Sequence, residues 1–263
     1  MDIQAYLRRI NYAGSTGPTA ETLRALHLAH LRNVPFENLS IHAGEPIVLD
    51  DEALFTKIVE RRRGGFCYEA NGLFAALLRA LGFDVTVLAA EVAGKDGSYS
   101  PPFDHMALMV ALEGRWLADV GFGDSFLEPL LLDEETEQTR LQDAFRIDHA
   151  GDYRIVMRRE DGEWKPNYRF KLQPYGYEDF AEMCRYHQTS PESHFTQKRI
   201  CSRATETGRI TLSDMRLIET IDGQREERTL DNPNEYEQIL RDSFGVVMGH
   251  AQPKLPQPQP FDL

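Results

Sequence analysis

At Asp84 the apolar residues of this chain change their spacing, and that change limits the folds open to it. Before it they gather on one side of a 3.6-residue turn: Ile3, Leu7 and Ile10; Leu23, Leu26 and Leu31; Leu54, Ile58 and Val59; then Ala70, Phe74, Leu77, Leu78 and Leu81. This is helical spacing, and it predicts a helical bundle over residues 1–83. After it, Val85, Val87 and Ala89 fall on alternate positions, as do Met106, Leu108, Val110 and Leu112. That is the period of a strand with one buried face. Further strands are expected around residues 145–147, 153–157 and 168–172, with Asp161-Gly162 as a hairpin turn. Helical spacing returns near Tyr177, where Phe180, Met183, Cys184 and His187 share one stripe, and Ser190-Pro191 closes it. Residues 200–230 read as three short strands, and a last helix opens at Asn232-Pro233 and stops at Gly245. The fold class is therefore α+β. Its parts are a helical bundle over 1–83, strands over 84–176, an interdomain helical segment over 177–199 and an α/β unit over 200–263.

Composition removes several functions. The chain of 263 residues can hold one large or a few small domains with real cores. A formal charge of −13 argues against a nucleic-acid partner, which would want a basic face. An anionic ligand would need a local basic patch, for which Lys198, Arg199 and Arg203 are the candidates. Cys67, Cys184 and Cys201 are too few and odd in number for a disulfide framework, which suits a reducing cytoplasm. No apolar stretch reaches membrane-spanning length, and the N-terminus lacks the apolar core of a signal peptide. No metal is expected: His27 and His30 lie three apart on a helix, but no third ligand stands near them. The proline-rich stretch over residues 252–263 reads as an extended end.

Between two of the helical stretches runs Arg61-Arg62-Arg63-Gly64-Gly65-Phe66-Cys67-Tyr68-Glu69-Ala70. Gly64-Gly65 is expected to end the first helix and Cys67 to begin the second. A thiol at a helix start meets unpaired backbone N–H groups and the positive end of the dipole, and both favour thiolate. The glycines would let backbone approach whatever the sulfur attacks. The segment alone leaves a second reading open, in which Cys67 is a small apolar core residue. Cys184 falls on an apolar stripe and reads as core, and Cys201 has no acid or base at useful spacing.

A nucleophilic thiol needs a base, and the base needs an acceptor that holds its tautomer. His105 opens one strand, and Asp119 follows Arg115-Trp116-Leu117-Ala118 on the returning one, so their meeting depends on register. A two-residue loop, Glu113-Gly114, would set Asp119 opposite Leu108 and on the other face from His105. A three-residue loop, Leu112-Glu113-Gly114 with Gly114 left-handed in a bulge, sets Asp119 opposite Ala107 and diagonal to His105. That diagonal is on the order of 7–8 Å between backbones, within reach of an imidazole and a carboxylate. The three-residue loop is predicted. Gly121-Phe122-Gly123 then breaks the strand and reads as a bend that admits a ligand.

Val34-Pro-Phe-Glu-Asn-Leu39, Arg63-Gly-Gly-Phe-Cys-Tyr-Glu69, His105 and Ala118-Asp-Val-Gly-Phe-Gly123 stand in one order and spacing across residues 30–126. In these stretches the chain resembles the arylamine N-acetyltransferase family, and Gly208-Arg-Ile-Thr-Leu-Ser-Asp214 is similar to bacterial members, the N-hydroxyarylamine O-acetyltransferases among them. The resemblance implies a cysteine-protease-like core of helical bundle and β-barrel under a C-terminal α/β lid. It implies acetyl-CoA as acyl donor and a thioester on Cys67. The acetyl group would pass to the nitrogen of small aromatic amines or hydrazines, or to the oxygen of N-hydroxyarylamines. His105 would move protons and Asp119 would orient it. Phe36, Tyr68, Phe103, Phe122 and Phe195 would line the acceptor pocket, although each alone is equally readable as core packing. Phe103 and Asp104 would touch the pantetheine arm of CoA, and Arg63 with Glu37 would form an ion pair beneath Cys67. Monomer and homodimer are both compatible. The alternatives are an amide synthase or a cysteine amide hydrolase with the same three residues, and a binding module whose Cys67 is inert.

Overall fold

The computed structural model describes residues 1–140 and 143–249. The proline-rich end lies outside the described residues. Helix α1 (Ile3–Arg9) is capped by Asp2, whose carboxylate accepts the Ala5 N–H at 2.9 Å. Helix α2 (Ala20–Asn33) is capped in the same way by Thr19. A two-residue strand β1 (Phe36–Glu37) and the short helices α3 (Leu39–Ala43) and α4 (Asp51–Phe55) follow, α4 running into one π-turn over Thr56–Glu60. Helix α5 (Cys67–Ala80) is the axis of the N-terminal half. Every residue from Cys67 to Leu78 on it is buried. A helix apolar on all sides has to be enclosed, and each large side chain so buried stabilises by about 1.5–3 kcal/mol. Its two strongly polar residues in that run, Glu69 and Asn71, both have hydrogen-bond partners.

Eight strands then form one antiparallel sheet: β2 (Asp84–Val92), β3 (His105–Ala111), β4 (Arg115–Ala118), β5 (Leu130–Leu131), β6 (Gln138–Arg140), β7 (Asp143–Ala150), β8 (Tyr153–Glu160) and β9 (Glu163–Lys171). Their order is β5-β4-β3-β2-β9-β8-β7-β6, which leaves β5 and β6 as the two edges. The sheet curls until these edges meet. The Gln138 side chain accepts the Leu131 N–H at 2.8 Å and donates to its carbonyl at 2.9 Å, standing in for the missing ladder bonds. The expected turn at Asp161-Gly162 forms, both residues having positive φ. The result is the barrel-like partner of α5, which packs on β2 and β3.

A 3₁₀ turn (Tyr177–Phe180) leads into α6 (Ala181–Thr189) and α7 (His194–Gln197). The C-terminal unit has β10 (Ile200–Ala204), β11 (Gly208–Ser213), β12 (Arg216–Ile221), β13 (Gln224–Thr229) and α8 (Pro233–Phe244). Asn232 caps α8 and Gly245 ends it in the left-handed conformation, as expected. There are four strands where three were expected. The turn between β10 and β11 at residues 205–207 contains neither Gly nor Pro and leaves no mark in the sequence. Strand β13 is exposed along its whole length and largely charged, which suits a free edge. The other edge of this five-stranded sheet is β1, a strand inside the stretch expected to be helical bundle, with Phe36 opposite Ser202 and Glu37 opposite Cys201. The α+β fold expected from sequence is the one that forms.

Candidate active site

The ten-residue stretch before α5 is built differently from its sequence reading. The helical run ends at Glu60, and the left-handed residue after it is Arg62, with φ 53°, rather than a glycine. Gly64 and Gly65 are there for space. A Cβ on Gly64 would lie 1.9 Å from the Pro35 carbonyl oxygen, and one on Gly65 would lie 2.6 Å from the Glu69 Cβ. The glycines thus bring the loop against residues 35–37, where the Glu37 N–H donates to the Gly65 carbonyl at 3.0 Å. They face protein, not ligand.

Beneath this loop lies the expected ion pair. Arg63 reaches Glu37 Oε1 through Nε at 3.0 Å and through Nη2 at 2.9 Å, with both side chains buried. Glu37 also accepts the N–H groups of Leu39 and Gly64. Burial alone would raise the Glu37 carboxyl, but Lys57 and Arg63 outweigh it and hold the pKa below its ordinary value. Beside it Lys57 Nζ meets Glu69 Oε1 at 2.6 Å, and Glu69 Oε2 accepts the Phe66 N–H. For Glu69 burial prevails over Lys57, and its pKa is raised.

Cys67 heads α5, His105 heads β3, and Asp119 lies one residue beyond β4. The β3–β4 ladder pairs Leu108 with Ala118 and Ala111 with Arg115, so the connection is the predicted Leu112-Glu113-Gly114 loop. Gly114 is not left-handed as expected; the Leu112 N–H closes the loop on the Gly114 carbonyl at 2.9 Å. This register brings His105 Nε2 to 2.7 Å from Asp119 Oδ2, with both groups buried. Asp119 Oδ1 accepts Asn71 Nδ2 at 2.8 Å and the Gly121 N–H at 2.9 Å. Burial would raise the Asp119 carboxyl, yet His105 and these donors hold it below its ordinary value. Asn71, one turn along α5 from Cys67, also donates to the Met106 carbonyl and accepts the Val120 N–H. Gly121 lies on the helix itself: a Cβ there would stand 2.7 Å from the Cys67 Cα. The bend at 121–123 therefore serves close packing on Cys67.

Burial pushes the Cys67 thiol well above its ordinary pKa, and Asp104 pushes the same way. A backbone hydrogen bond from Met106 to the sulfur opposes both. The helix end therefore does not make a thiolate unaided, and a base is needed. With Nε2 engaged by Asp119, Nδ1 is the His105 nitrogen left for that task.

Aromatic rings surround this group. Phe122 stands edge-on to His105 at 5.2 Å. Phe195 lies 5.4 Å from Phe66 and 6.2 Å from Phe36, while Phe103 is edge-on to Tyr175 at 4.9 Å. Phe36, Phe103, Phe122 and Phe195 keep some exposure. Tyr68 does not: it is fully buried, and its hydroxyl donates to the Phe103 and Asp104 carbonyls. It supports the loop before His105 and offers no surface to a ligand. Phe103 has φ 67°, a conformation that strains a non-glycine residue by about 1–3 kcal/mol and persists only where the surroundings impose it. Sequence reasoning missed one such support. His187 on α6 places Nε2 3.0 Å from Asp104 Oδ1 and Nδ1 2.9 Å from the Ser193 hydroxyl.

An arylamine N-acetyltransferase from Mycolicibacterium smegmatis is 36% identical over 256 residues, covering 95% of this chain and 93% of its own. A family model described as N-acetyltransferase matches residues 19–252. The chain belongs to the arylamine N-acetyltransferase family. The Escherichia coli K12 arylamine N-acetyltransferase is 33% identical over 251 residues, covering 94% of this chain and 89% of its own. Among solved structures, Mycobacterium marinum arylamine N-acetyltransferase in complex with CoA superposes with a TM-score of 0.87 at 34% identity, covering 93% of each chain. That from Salmonella typhimurium gives 0.88 at 33% identity, covering 93% of this chain and 90% of its own.

This member of the arylamine N-acetyltransferase family does not gather the basic patch expected from sequence. Arg203 donates to the Arg32 and Ser243 carbonyls, Arg199 stacks on Tyr236 at 4.6 Å, and Lys198 is exposed. His27 and His30 are both buried and engaged internally, His30 through the Tyr6 hydroxyl at 2.7 Å. Among the described residues no three His, Cys, Asp or Glu side chains cluster to hold a metal, and no helix is long and apolar enough to cross a membrane. Asn71 was within reach of sequence reasoning, as a lone amide one turn after Cys67 on an otherwise apolar helix.

Proposed function

We propose that the chain moves an acetyl group from acetyl-CoA to arylamines and hydrazines, and to the oxygen of N-hydroxyarylamines, through a thioester on Cys67. The observation that carries this reading is the buried His105–Asp119 pair, 2.7 Å apart, beside a Cys67 sulfur that lies 3.9 Å from the Asp104 carbonyl oxygen. His105 Nδ1 takes the Cys67 proton, and the sulfur attacks the acetyl carbonyl. The tetrahedral adduct collapses by breaking the bond to the CoA sulfur, which leaves with the proton held by His105. The acceptor nitrogen then attacks the acetyl-Cys67 carbonyl, gives its proton to His105, and Cys67 returns to the thiol. Asp119 holds the imidazole in one orientation and stabilises its charged form.

The nitrogen of an arylamine shares its lone pair with the ring and is a weak nucleophile. A thioester beside a base, shielded from water, suits it. Phe36, Phe103, Phe122 and Phe195 are proposed as the aromatic walls. The Phe103-Asp104 loop is proposed to touch the pantetheine arm, with Tyr68 and His187 holding it. The bundle over 1–83 would supply the nucleophile, the barrel over 84–176 the base and its partner, and residues 177–199 and 200–263 the connection and the lid. Three free cysteines accord with a reducing cytoplasm.

The test is intact mass after incubation with acetyl-CoA alone, beside Cys67→Ala. An acetyl adduct on the native chain, absent from the variant and discharged by aniline or a hydrazine, is the expected result. Acetyl-CoA hydrolysis without any adduct would overturn it.

A further inference from the structure

Helix α2 carries one imidazole whose two nitrogens are both engaged by the loop that follows Asp119. His27 Nε2 accepts the Asp119 backbone N–H at 3.1 Å, and Nδ1 lies 2.9 Å from the Leu127 carbonyl oxygen. A ring nitrogen that accepts carries no proton, so the proton sits on Nδ1 and is donated to Leu127. A single neutral tautomer satisfies both bonds. The ring is fully buried, stacked on Phe126 at 5.8 Å and edge-on to Phe74 at 6.1 Å. Burial brings its pKa down to about 4, which keeps that tautomer neutral near pH 7.

Asp119 and Leu127 are the two ends of the segment that carries Phe122 and Gly123. Three successive N–H groups at its start are held: Asp119 by His27, Val120 by Asn71, and Gly121 by the Asp119 carboxylate. Asn71 ties the segment to α5, and His27 ties both its ends to α2. An apolar side chain in that place would leave a buried N–H and a buried carbonyl without partners. A displacement of about 1 Å at a catalytic group is enough to slow chemistry about 10²-fold.

We propose that His27 is a positioning residue: it pins the backbone at Asp119 and Leu127, and so sets the Asp119 carboxylate against His105 and the Phe122 ring edge-on to the same imidazole. The inference rests on the thioester reading given above. It assigns to His27 neither substrate contact nor proton transfer.

The experiment measures single-turnover acetylation of Cys67 by acetyl-CoA across pH, by intact mass on the full chain, with thermal melts alongside. His27→Leu keeps most of the volume and removes both bonds. His27→Gln restores an acceptor and a donor at similar separation. The expected result is a folded Leu variant that acetylates about 10²-fold more slowly with a displaced pH profile, and a Gln variant that recovers most of the rate and the native profile. A Leu variant with the wild-type rate and profile overturns the inference, as does a folded Gln variant as slow as Leu. Should Leu fail to fold, His27→Asn, which retains a donor for Leu127 and loses the acceptor for Asp119, decides in its place by the same two readouts. A wild-type chain that takes up no acetyl group overturns the thioester reading itself; normal uptake by both wild type and Leu variant overturns this inference alone.

Discussion

Two buried polar clusters flank the first turn of α5, and they differ in what their cations can do. On one side Glu37 and Glu69 face Arg63 and Lys57. On the other, Asp119 faces His105 and Asn71. Both are enclosed and rich in hydrogen bonds. The first uses a guanidinium, a cation that does not give up its proton, and an ammonium held on Glu69 at 2.6 Å, so it serves to lock the loop in place. The second uses an imidazole, a side chain able to take up and hand on a proton during a reaction. Cys67 sits at the junction. The comparison teaches that burial and good hydrogen bonding do not distinguish a site from a support; the mobility of the proton does.

The largest effect should come from the mobile side. Asp119→Asn keeps the shape and favours the wrong imidazole tautomer, and acetylation should slow by about 10³–10⁴-fold with the melting temperature nearly unchanged. Rapid-mixing measurement of CoA release checks this, and a loss under tenfold would break the distinction. On the fixed side, Arg63→Met leaves Glu37 charged and buried without its partner, and should lose about 3–5 kcal/mol in urea unfolding. Combining it with Glu37→Leu should recover much of that loss, because no orphan charge remains. Unchanged stability in Arg63→Met would show that the pair supports nothing.

Alkylation sharpens the boundary between the clusters. In His105→Gln the burial-raised Cys67 thiol lacks its base, so inactivation by iodoacetamide should need a pH above the ordinary thiol range, whereas the native chain reacts near neutrality. Native-like reaction of that variant at pH 7 would remove His105 from the thiol chemistry. Smaller again is the acid response of the fixed cluster. The Glu37 carboxyl is held below its ordinary 4.5, so its contribution is present above that value and is lost as pH falls through the folded one. Glu69, whose pKa is raised, acts in the opposite sense, its contribution fading as pH rises through the folded value. Glu37→Gln should therefore lower stability at pH 7 and flatten its decline below about pH 4.5, read from melting temperature against pH. The smallest effect belongs to the exposed Arg61, which meets the half-buried Glu45 at 3.1 Å. Arg61→Ala should change stability by about 0–1 kcal/mol in the same urea assay.

The three candidate site residues were legible because each sits where a local pattern ends: a helix start, a strand start, and the first residue past a strand end. The hairpin register followed from requiring His105 and Asp119 to share a face, which selects the three-residue loop. What escaped were features whose cause lies far off in sequence. Gly64 is glycine because of the Pro35 carbonyl, and Gly121 because of the Cys67 backbone. His27 could be weighed as a metal ligand, but its real partners, Asp119 and Leu127, become neighbours only after folding. Strand β1 is too short to show a period, so it lacks the alternation that betrays a strand. The Tyr68 hydroxyl shows the same limit, since only the fold reveals that it holds the loop before His105.

The pairing of β1 with β10 also bears on the order of assembly. Asn38, next to β1, accepts the Ile200 N–H at 2.8 Å across a separation of 162 residues. A ribosome would release Phe36 and Glu37 long before the strand that completes them exists. Through most of synthesis that edge would stay open, thirty residues upstream of Cys67. Closing so distant a contact is slow compared with local helix formation, and open strand edges invite pairing with other chains. Loss of the C-terminal strands would therefore leave a bundle with Cys67 in place and an unguarded edge beside it, prone to aggregate rather than to work.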